Sequence, residues 1–459
     1  MKLIFWLLAV MSSVTAAAAT HEVPAGGSIT AVLERAAPGD TIRLAGGTYR
    51  ENIVIDVPVT LTSDNGATIR GGYQGNVVHV MAPGTVLEGL HIAEAGPHLT
   101  KDMANILVEA DDVTIRDCTL TESLHGIYVK GGNRVTILGN TIEGRLDLIE
   151  ADRGNGIHLW NSSGNHITEN EIFNVRDGIY FSFADSTTIE RNHIHHVRYG
   201  LHYMYSNDNS FYDNLFENNV AGAALMYSED ILFTRNTFAR CRGFRAYGIL
   251  LQSMSRVTAR ENLIVDNSRG IFMNNADSCV IESNDVVNND LAIQLNGGCD
   301  GNLFVRNNFI NNLSDLLLDV SDLETRWADA GGGNYWSSYR GYDLDRDGTG
   351  DLPYPIQNVF QILETRVPEV RFYLLSPAAE VLKAAERALP ILRLGDAQDP
   401  RPAMFPIVNS QVPWALGGDR ALAGSLTLAL LFMGATAGVG ALSWRLGQPQ
   451  RPQKAGGTP

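Results

Sequence analysis

Two histidines and two methionines recur at a spacing that would set them side by side. His158 and His202 stand two residues after Gly156 and Gly200, and Met204 and Met226 stand four residues after Gly200 and Gly222. If each glycine opens an extended strand, alternation sends positions +2 and +4 outward and the mostly apolar +1 and +3 inward. The +2 column reads Tyr128, His158, Tyr180, His202, Ala224, Leu250, Phe272, Gln294. The +4 column reads Lys130, Trp160, Ser182, Met204, Met226, Gln252, Asn274, Asn296. On one strand, His202 and Met204 would be about 6.6 Å apart at the backbone, and a stacked strand would carry Met226 within about 4.8 Å of Met204. Imidazole with thioethers is a soft donor set that suits Cu(I). His202, Met204, Met226 and His158 are therefore the expected copper ligands, without a thiolate that would hold the ion too tightly to release. Tyr128, Trp160, Tyr180 and Tyr205 would surround them as a docking face. The competing reading is a contact surface with no metal, because exposed Trp, Tyr and Met usually mark a binding patch.

Other groups could also do chemistry. His193 and His195 would share one strand face, with His196 pointing the other way, a second candidate for metal. His21 would lie near a processed N-terminus and could bind copper there. Asp343, Asp345, Asp347 and Asp351 form Asp-x-Asp-x-Asp-Gly-x-Gly-Asp, an oxygen-rich turn expected to take calcium. The alternative is an acidic turn held by its own side chain-to-amide bonds. Cys118, Cys241, Cys279 and Cys299 include no Cys-x-x-Cys pair, and Cys279 with Cys299, about one repeat apart, would be the candidate disulfide. No Gly-x-x-x-x-Gly-Lys-Ser/Thr loop is present, so ATP hydrolysis is not expected of this chain.

The elements that must position these residues are written as an internal repeat. A line Val-Thr-Ile-x-x-Asn-x-Ile carries Cys118, Asn140, Asn170, Asn192, Asn214, Asn236, Asn262, Asn284 and Asn307 at its Asn position, spaced 22, 30, 22, 22, 22, 26, 22 and 23. A line Gly-Ile-x-Val/Leu begins at Gly126, Gly156, Gly178, Gly200, Gly222, Gly248, Gly270 and Ala292, and its long gaps coincide with those of the first. This period is too short for a helical pair and too rich in β-branched residues, and it suits one coil of a parallel β-helix. Coils stacked at about 4.8 Å place identical residues in columns, so a buried asparagine amide can donate to one neighbour and accept from the other. The longer coils need outward loops, one with Glu150, Asp152 and Arg153, the other with Arg240 and Arg242. The fold expected is all-β, a right-handed parallel β-helix with coils of about 22 residues. An N-terminal helical cap over Ser28–Ala37 would cover the open end, and a helical and extended tail would follow the coils.

The chain ends suggest export. Residues 1–19 have a basic start, a short apolar core and an alanine-rich finish, the pattern of a signal peptide. Residues 20–325 would be the β-helix. Residues 326–418 would be an extension with the Asp-rich loop, a partner-docking helix over Ser376–Leu389 and a stiff connector containing Pro400, Pro402, Pro406 and Pro413. Residues 419–446 include the uncharged run Ala421–Trp444, which as a helix of about 36 Å would cross a bilayer. Arg445, Arg451 and Lys454 would place the 447–459 tail in the cytoplasm and the body in the periplasm, tethered to the inner membrane. A net charge of −16 argues against nucleic acid as a partner.

Three runs carry a resemblance. Arg198-Tyr199-Gly200-Leu201-His202-Tyr203-Met204-Tyr205-Ser206-Asn207-Asp208, then Gly332-Gly333-Asn334-Tyr335-Trp336-Ser337 with the Asp-rich loop behind it, and Phe372-Tyr373-Leu374-Leu375-Ser376-Pro377-Ala378 resemble the NosD family. That resemblance implies a periplasmic accessory role in maturing the copper–sulfur centre of nitrous oxide reductase. It implies as partners an ABC-type ATPase with its membrane permease, the reductase itself and a copper chaperone. The hydrophobic segment near the C-terminus departs from the family pattern and implies tethering to the membrane. A competing class is a carbohydrate-active enzyme, a polysaccharide lyase, hydrolase or epimerase on the same fold. Such an enzyme needs converging carboxylates or a base with a charge-stabilising group, and the outward columns hold no Asp or Glu.

Overall fold

The computed structural model describes residues 18–98, 101–319, 324–357 and 397–408, with a few positions between 363 and 381. One coil shows why a 22-residue period folds as it does. Tyr199–Met204, Ser210–Tyr212 and Leu215–Glu217 are three short strands joined by corners. Each pairs in parallel with the strand one repeat onward: Tyr199 with Ala221, Ser210 with Leu232, Leu215 with Thr237. Repeated over about 14 turns, this makes a right-handed parallel β-helix with three stacked faces. The fold is all-β, as the repeat predicts.

The core follows from alternation. Ile179, Leu201 and Ala223 are fully buried in one inward column, while Phe211–Phe233 and Phe216–Phe238 stack at 4.7 and 5.2 Å in two others. The glycine line has a steric cause. A Cβ on Gly200 would lie 2.4 Å from the carbonyl oxygen of Gly222 and 2.7 Å from the Phe216 ring. Corners are turned by residues with positive φ, among them Asp213 and Asn218 in this coil, types whose short polar side chains tolerate that conformation.

The asparagine column forms the expected ladder. The Nδ2 atoms of Asn170, Asn192 and Asn214 each donate to the Oδ1 of the next asparagine at 2.9 Å. The ladder starts where the Cys118 N–H donates to Asn140 Oδ1. It ends at Asn334, whose N–H donates to Asp399 Oδ2 at 2.7 Å, an oxygen that also accepts from Trp336 Nε1 at 2.9 Å. A second column, Asn267, Asn289 and Asn312, runs along another corner and was not read from the sequence.

Several expectations change. The cap over Ser28–Ala37 reduces to one helical turn, Thr30–Leu33, and a strand, Thr20–Val23, precedes it and pairs with Thr41–Leu44. The sheet thus begins before the helix. The stretch 397–408 is no free connector. Asp399 is buried against the ladder, and Asn308 and Ile407 exchange two hydrogen bonds of 2.7 and 2.8 Å. Cys279 and Cys299 are buried free thiols rather than a disulfide. The register is the reason: Cys279 lies opposite Asn302, to which its N–H donates at 2.9 Å. The expected signal segment up to residue 17, most of the Ser376–Leu389 helix, the 419–446 membrane segment and the 447–459 tail lie outside the described residues. Among the described residues, no helix is long and apolar enough to cross a membrane.

Candidate functional site

The outward columns stand in the register that alternation demands. Tyr128 pairs with His158, His158 with Tyr180, Tyr180 with His202 and His202 with Ala224. Beside them, Trp160 pairs with Ser182, Ser182 with Met204 and Met204 with Met226. Between the Gly-led strands and the chain bordering them lies an open cleft of about 620 Å³, lined by residues that include His125, Tyr128, His158, Asp177, Tyr180 and His202.

Asp177 organises the cleft. Its side chain is 2 % exposed and takes a two-pronged contact from Arg198, with Nε on Oδ1 at 2.8 Å and Nη2 on Oδ2 at 2.6 Å. His202 Nδ1 donates to the same Oδ2 at 2.8 Å. Burial alone would raise the Asp177 carboxyl, but the hydrogen bonds from His202 and Arg198 outweigh it and hold the group below its usual range. An ionised carboxylate can only accept, so Nδ1 of His202 carries a hydrogen, and Nε2 is the ring nitrogen that this bond leaves unengaged. Arg198 is itself stacked on Tyr199, 4.4 Å from the ring centre. A carboxylate behind a histidine is the usual way of fixing the ring of a metal ligand and raising its basicity.

The register sets His202, Met204 and Met226 on one strand pair: two methionines opposite each other and, two residues from one of them, an imidazole whose Nδ1 is engaged by Asp177. That donor chemistry fits Cu(I). His158 does not join them. The Tyr180 ring stands between the two histidines, 4.6 Å from His158 and 4.8 Å from His202. His158 also stacks on Tyr128 at 4.4 Å, and burial pushes its pKa down to about 3, so it is neutral. Its Nδ1 is buried without a hydrogen-bond partner among the described residues. Neighbouring His125 is likewise pushed down to about 4 by burial, and its Nδ1 accepts from the Asn155 N–H at 3.0 Å.

The docking face is only partly where it was expected. Tyr128 is buried, packed with Ala104 and Leu107 from the preceding coil, so it cannot present a surface. Tyr180 is half-buried within the histidine stack. Trp160 and Tyr205 are exposed, and Tyr205 stacks between Phe183 and Tyr227 at 5.4 and 5.2 Å. Phe183 and Tyr227 lie one residue beyond the columns read from the sequence, at the corner. Asp177 escaped for a similar reason. It immediately precedes Gly178, where the chain enters the strand, ahead of the alternation that defines the outward columns. The available signal was a run of polar residues one position before the first four glycines of the line: His125, Asn155, Asp177, Tyr199.

The remaining candidates resolve as follows. His21 Nε2 is bonded to Asp40 at 2.8 Å and sits within the first strand. Asp343, Asp345 and Asp347 bring carboxylate oxygens within 4.8 Å of one another. Asp343 already accepts from the N–H groups of Arg346 and Gly348 at 2.6 and 2.9 Å, and Asp351 accepts from Leu344 at 2.8 Å. Glu150 and Arg153 from one insert loop and Arg240 and Arg242 from the other converge on a single hollow that also includes His196.

Comparison with known proteins places this architecture. A family model described as periplasmic copper-binding protein (NosD) matches residues 139–341. A probable ABC transporter binding protein NosD of Stutzerimonas stutzeri is 37 % identical over 380 residues, covering 79 % of this chain and 86 % of that one. The protein of the same description from Pseudomonas aeruginosa is 38 % identical over 378 residues, covering 79 % and 87 %. Among solved structures, the catalytic unit of a GH87 α-1,3-glucanase from Streptomyces thermodiastaticus superposes with a TM-score of 0.53 at 15 % identity, over 70 % of this chain and 71 % of that one, a likeness of fold alone. More than a third of positions are shared over most of the length of both curated relatives, and on that footing the chain belongs to the NosD family.

Proposed function

We propose that this chain is a periplasmic, non-enzymatic accessory protein that takes up Cu(I) and passes it on during maturation of nitrous oxide reductase. The observation that supports this reading most directly is the pairing of Met204 with Met226 beside His202, whose Nε2 is left free by the bond to Asp177. Copper is the cargo. Met204, Met226 and His202 hold it through soft donors weak enough to exchange, and Asp177 with Arg198 fixes the imidazole. Trp160 and Tyr205 lie beside that site and give a partner apolar area to cover. The partners would be an ABC-type ATPase with its permease, which supplies the energy, a copper chaperone that loads the site, and the reductase that receives the ion. The curated relatives' description as ABC transporter binding proteins agrees with the first of these. The test is an anaerobic Cu(I) competition titration of the full chain against a His202→Ala/Met204→Ala/Met226→Ala variant. Stoichiometric binding by the parent and its loss in the variant is the expected result. Equal binding by both would remove the handover model.

One observation favours a second reading: the cleft is lined by Arg153, Arg176, Tyr180, His158 and the buried carboxylate of Asp177, groups that polysaccharide lyases and hydrolases also use. A glycosidase, however, needs two carboxyl groups, one of them kept protonated. Asp177 is held ionised by its partners, and the other carboxylate of the cleft, Asp102, is exposed. Release of unsaturated, ultraviolet-absorbing sugars from alginate or pectin would favour the enzyme.

A further inference from the structure

A second cluster of donors lies on a different face, the one formed by the third strand of each coil. His193 and His195 point outward from the strand His193–His195 while Ile194 between them is fully buried. In the register, Glu171 of the preceding coil lies opposite His193, and Glu217 of the following coil lies opposite His195. Glu171, His193 and His195 each bring one ligand atom within 4.8 Å of the others.

The hydrogen bonds leave particular atoms over. His195 Nδ1 lies 2.7 Å from His196 Nδ1, and its ring is stacked on Phe173 at 5.1 Å with only 2° between the planes. Its Nε2 is buried with no hydrogen-bond partner among the described residues, and the nearest carboxylate oxygen, on Glu171, is 3.5 Å away. His193 Nε2 is bonded to Glu217 at 3.0 Å, which leaves Nδ1 as the atom able to bind something else. His196 does not point away from the cluster as alternation suggests, because its φ of 54° turns it at the corner.

We propose that Glu171, His193 and His195 bind a borderline divalent cation, zinc(II) or copper(II), with Glu217 as a positioning residue for His193. Two imidazoles and a carboxylate are the donors such ions take, whereas calcium and magnesium decline nitrogen and Cu(I) prefers sulfur. Tetrahedral zinc with bonds near 2.0–2.1 Å holds its ligand atoms about 3.3 Å apart. Side-chain rotation of the outward residues closes that gap, and an outward face leaves a fourth position for water or an incoming ligand. Glu217 stands behind His193 as Asp177 stands behind His202, the carboxylate–histidine pairing common at metal sites. The ion would join two successive coils across Glu171 and His193, with Glu217 reaching from a third. This site rests on its own residues and stands or falls independently of the Cu(I) site.

The test titrates the full chain with zinc(II) alone and, separately, copper(II) alone, against a chromophoric chelator. His193→Ala/His195→Ala should lose the tightest equivalent of either ion, and Glu217→Gln should weaken it about 10–100-fold, as expected for an outer carboxylate. Glu171→Gln, on an exposed residue that leaves the coil intact, should weaken it too. His202→Ala/Met204→Ala/Met226→Ala should keep it. Zinc should raise Tm of the parent and not of the double variant, and copper(II) should give nitrogen hyperfine lines in its electron paramagnetic resonance spectrum that the double variant lacks. Zinc binding by a folded Glu171→Gln or by the double variant with parental affinity overturns the proposal, as does a copper(II) spectrum that the double variant leaves unchanged.

Discussion

Asp177→Asn separates the role of the buried carboxylate from that of the proposed copper ligands. The carboxylate accepts three charge-assisted hydrogen bonds, two from Arg198 and one from His202, all between 2.6 and 2.8 Å. Asparagine preserves the volume but turns one acceptor oxygen into an NH2 group. That donor must then face either the guanidinium or the His202 N–H. Breaking a buried ion pair from one side costs about 3–5 kcal/mol. Arg198 is 28 % exposed, so water recovers part of that, and a loss of about 2–3 kcal/mol is expected. The copper effect is separate: losing the carboxylate behind a ligating histidine costs about 10–100-fold in affinity, or about 1.4–2.7 kcal/mol. Urea unfolding followed by circular dichroism measures the first, and anaerobic competition titration measures the second. Arg198→Lys is the control, since it loses the paired guanidinium contact while leaving the His202–Asp177 bond, and it should lower stability with little change in copper affinity. A folded Asp177→Asn protein that binds Cu(I) as tightly as the parent would refute the argument that His202 ligates through Nε2.

Two further outcomes follow from the same geometry. His125 and His158, with folded pKa values of about 4 and about 3 against an ordinary 6.5, stay neutral in the fold, while the unfolded chain takes up protons first. Stability from each is therefore whole above pH 6.5 and falls by up to about 1.4 kcal/mol per pH unit as pH drops toward the folded value; His158→Phe should flatten the stability profile between pH 6 and pH 4, and an unchanged slope would sink the assignment. Asp177, held below its usual 3.8, adds a loss only below that pH. Asn214→Ala should cost about 2–4 kcal/mol in denaturant unfolding, because it strips the Asn192 N–H of its buried acceptor and removes the donor to Asn236 Oδ1; a loss under about 0.5 kcal/mol would mean the ladder contributes little.

How far the sequence reaches depends on what repeats. The coil period, the inward columns and the Asn140–Asn307 ladder were legible because every coil reimposes the same steric demand, so one coil's residues predict the next coil's. The Met204–Met226 pairing was legible for that reason too: register between identical coils is a matter of counting. Asp177 was not, since only its coil carries a carboxylate at the position before the glycine, one residue ahead of the outward columns. Tyr128 was misplaced because its covering, Ala104 and Leu107, comes from the coil before the glycine line starts. The Asp399 plug on the ladder joins residues 65 apart in the chain, outside the repeat altogether. The cysteine pair failed on register, since the residue opposite Cys279 is Asn302, 23 positions on, and Cys299 falls three positions short of it.

The corner beside the methionines bears on what that face is for. In one column of equivalent positions stand Asn161, Phe183, Tyr205, Tyr227, Ser253 and Asn275, all with φ between 50° and 54° except Tyr227 at 56°. The fold asks only for a residue that tolerates the left-handed conformation, and Asn and Ser supply it at the ends of the column. An aromatic residue there carries a cost of about 1–2 kcal/mol in backbone strain, and these three are 54 %, 45 % and 43 % exposed, so burial in this chain repays little of it. Their rings stack on one another at 5.2–5.4 Å, which returns about 0.5–1.5 kcal/mol per pair. Three such residues cost about 3–6 kcal/mol and two stacked pairs return only about 1–3 kcal/mol, so neither backbone nor core selects for rings at these positions. What distinguishes the three coils from their neighbours is that they carry Ser182, Met204 and Met226 next to the rings. Two of these three coils bear the methionines, so under the proposed copper role a partner landing on the aromatic edge would desolvate it and lie within one coil spacing of Met204 and Met226.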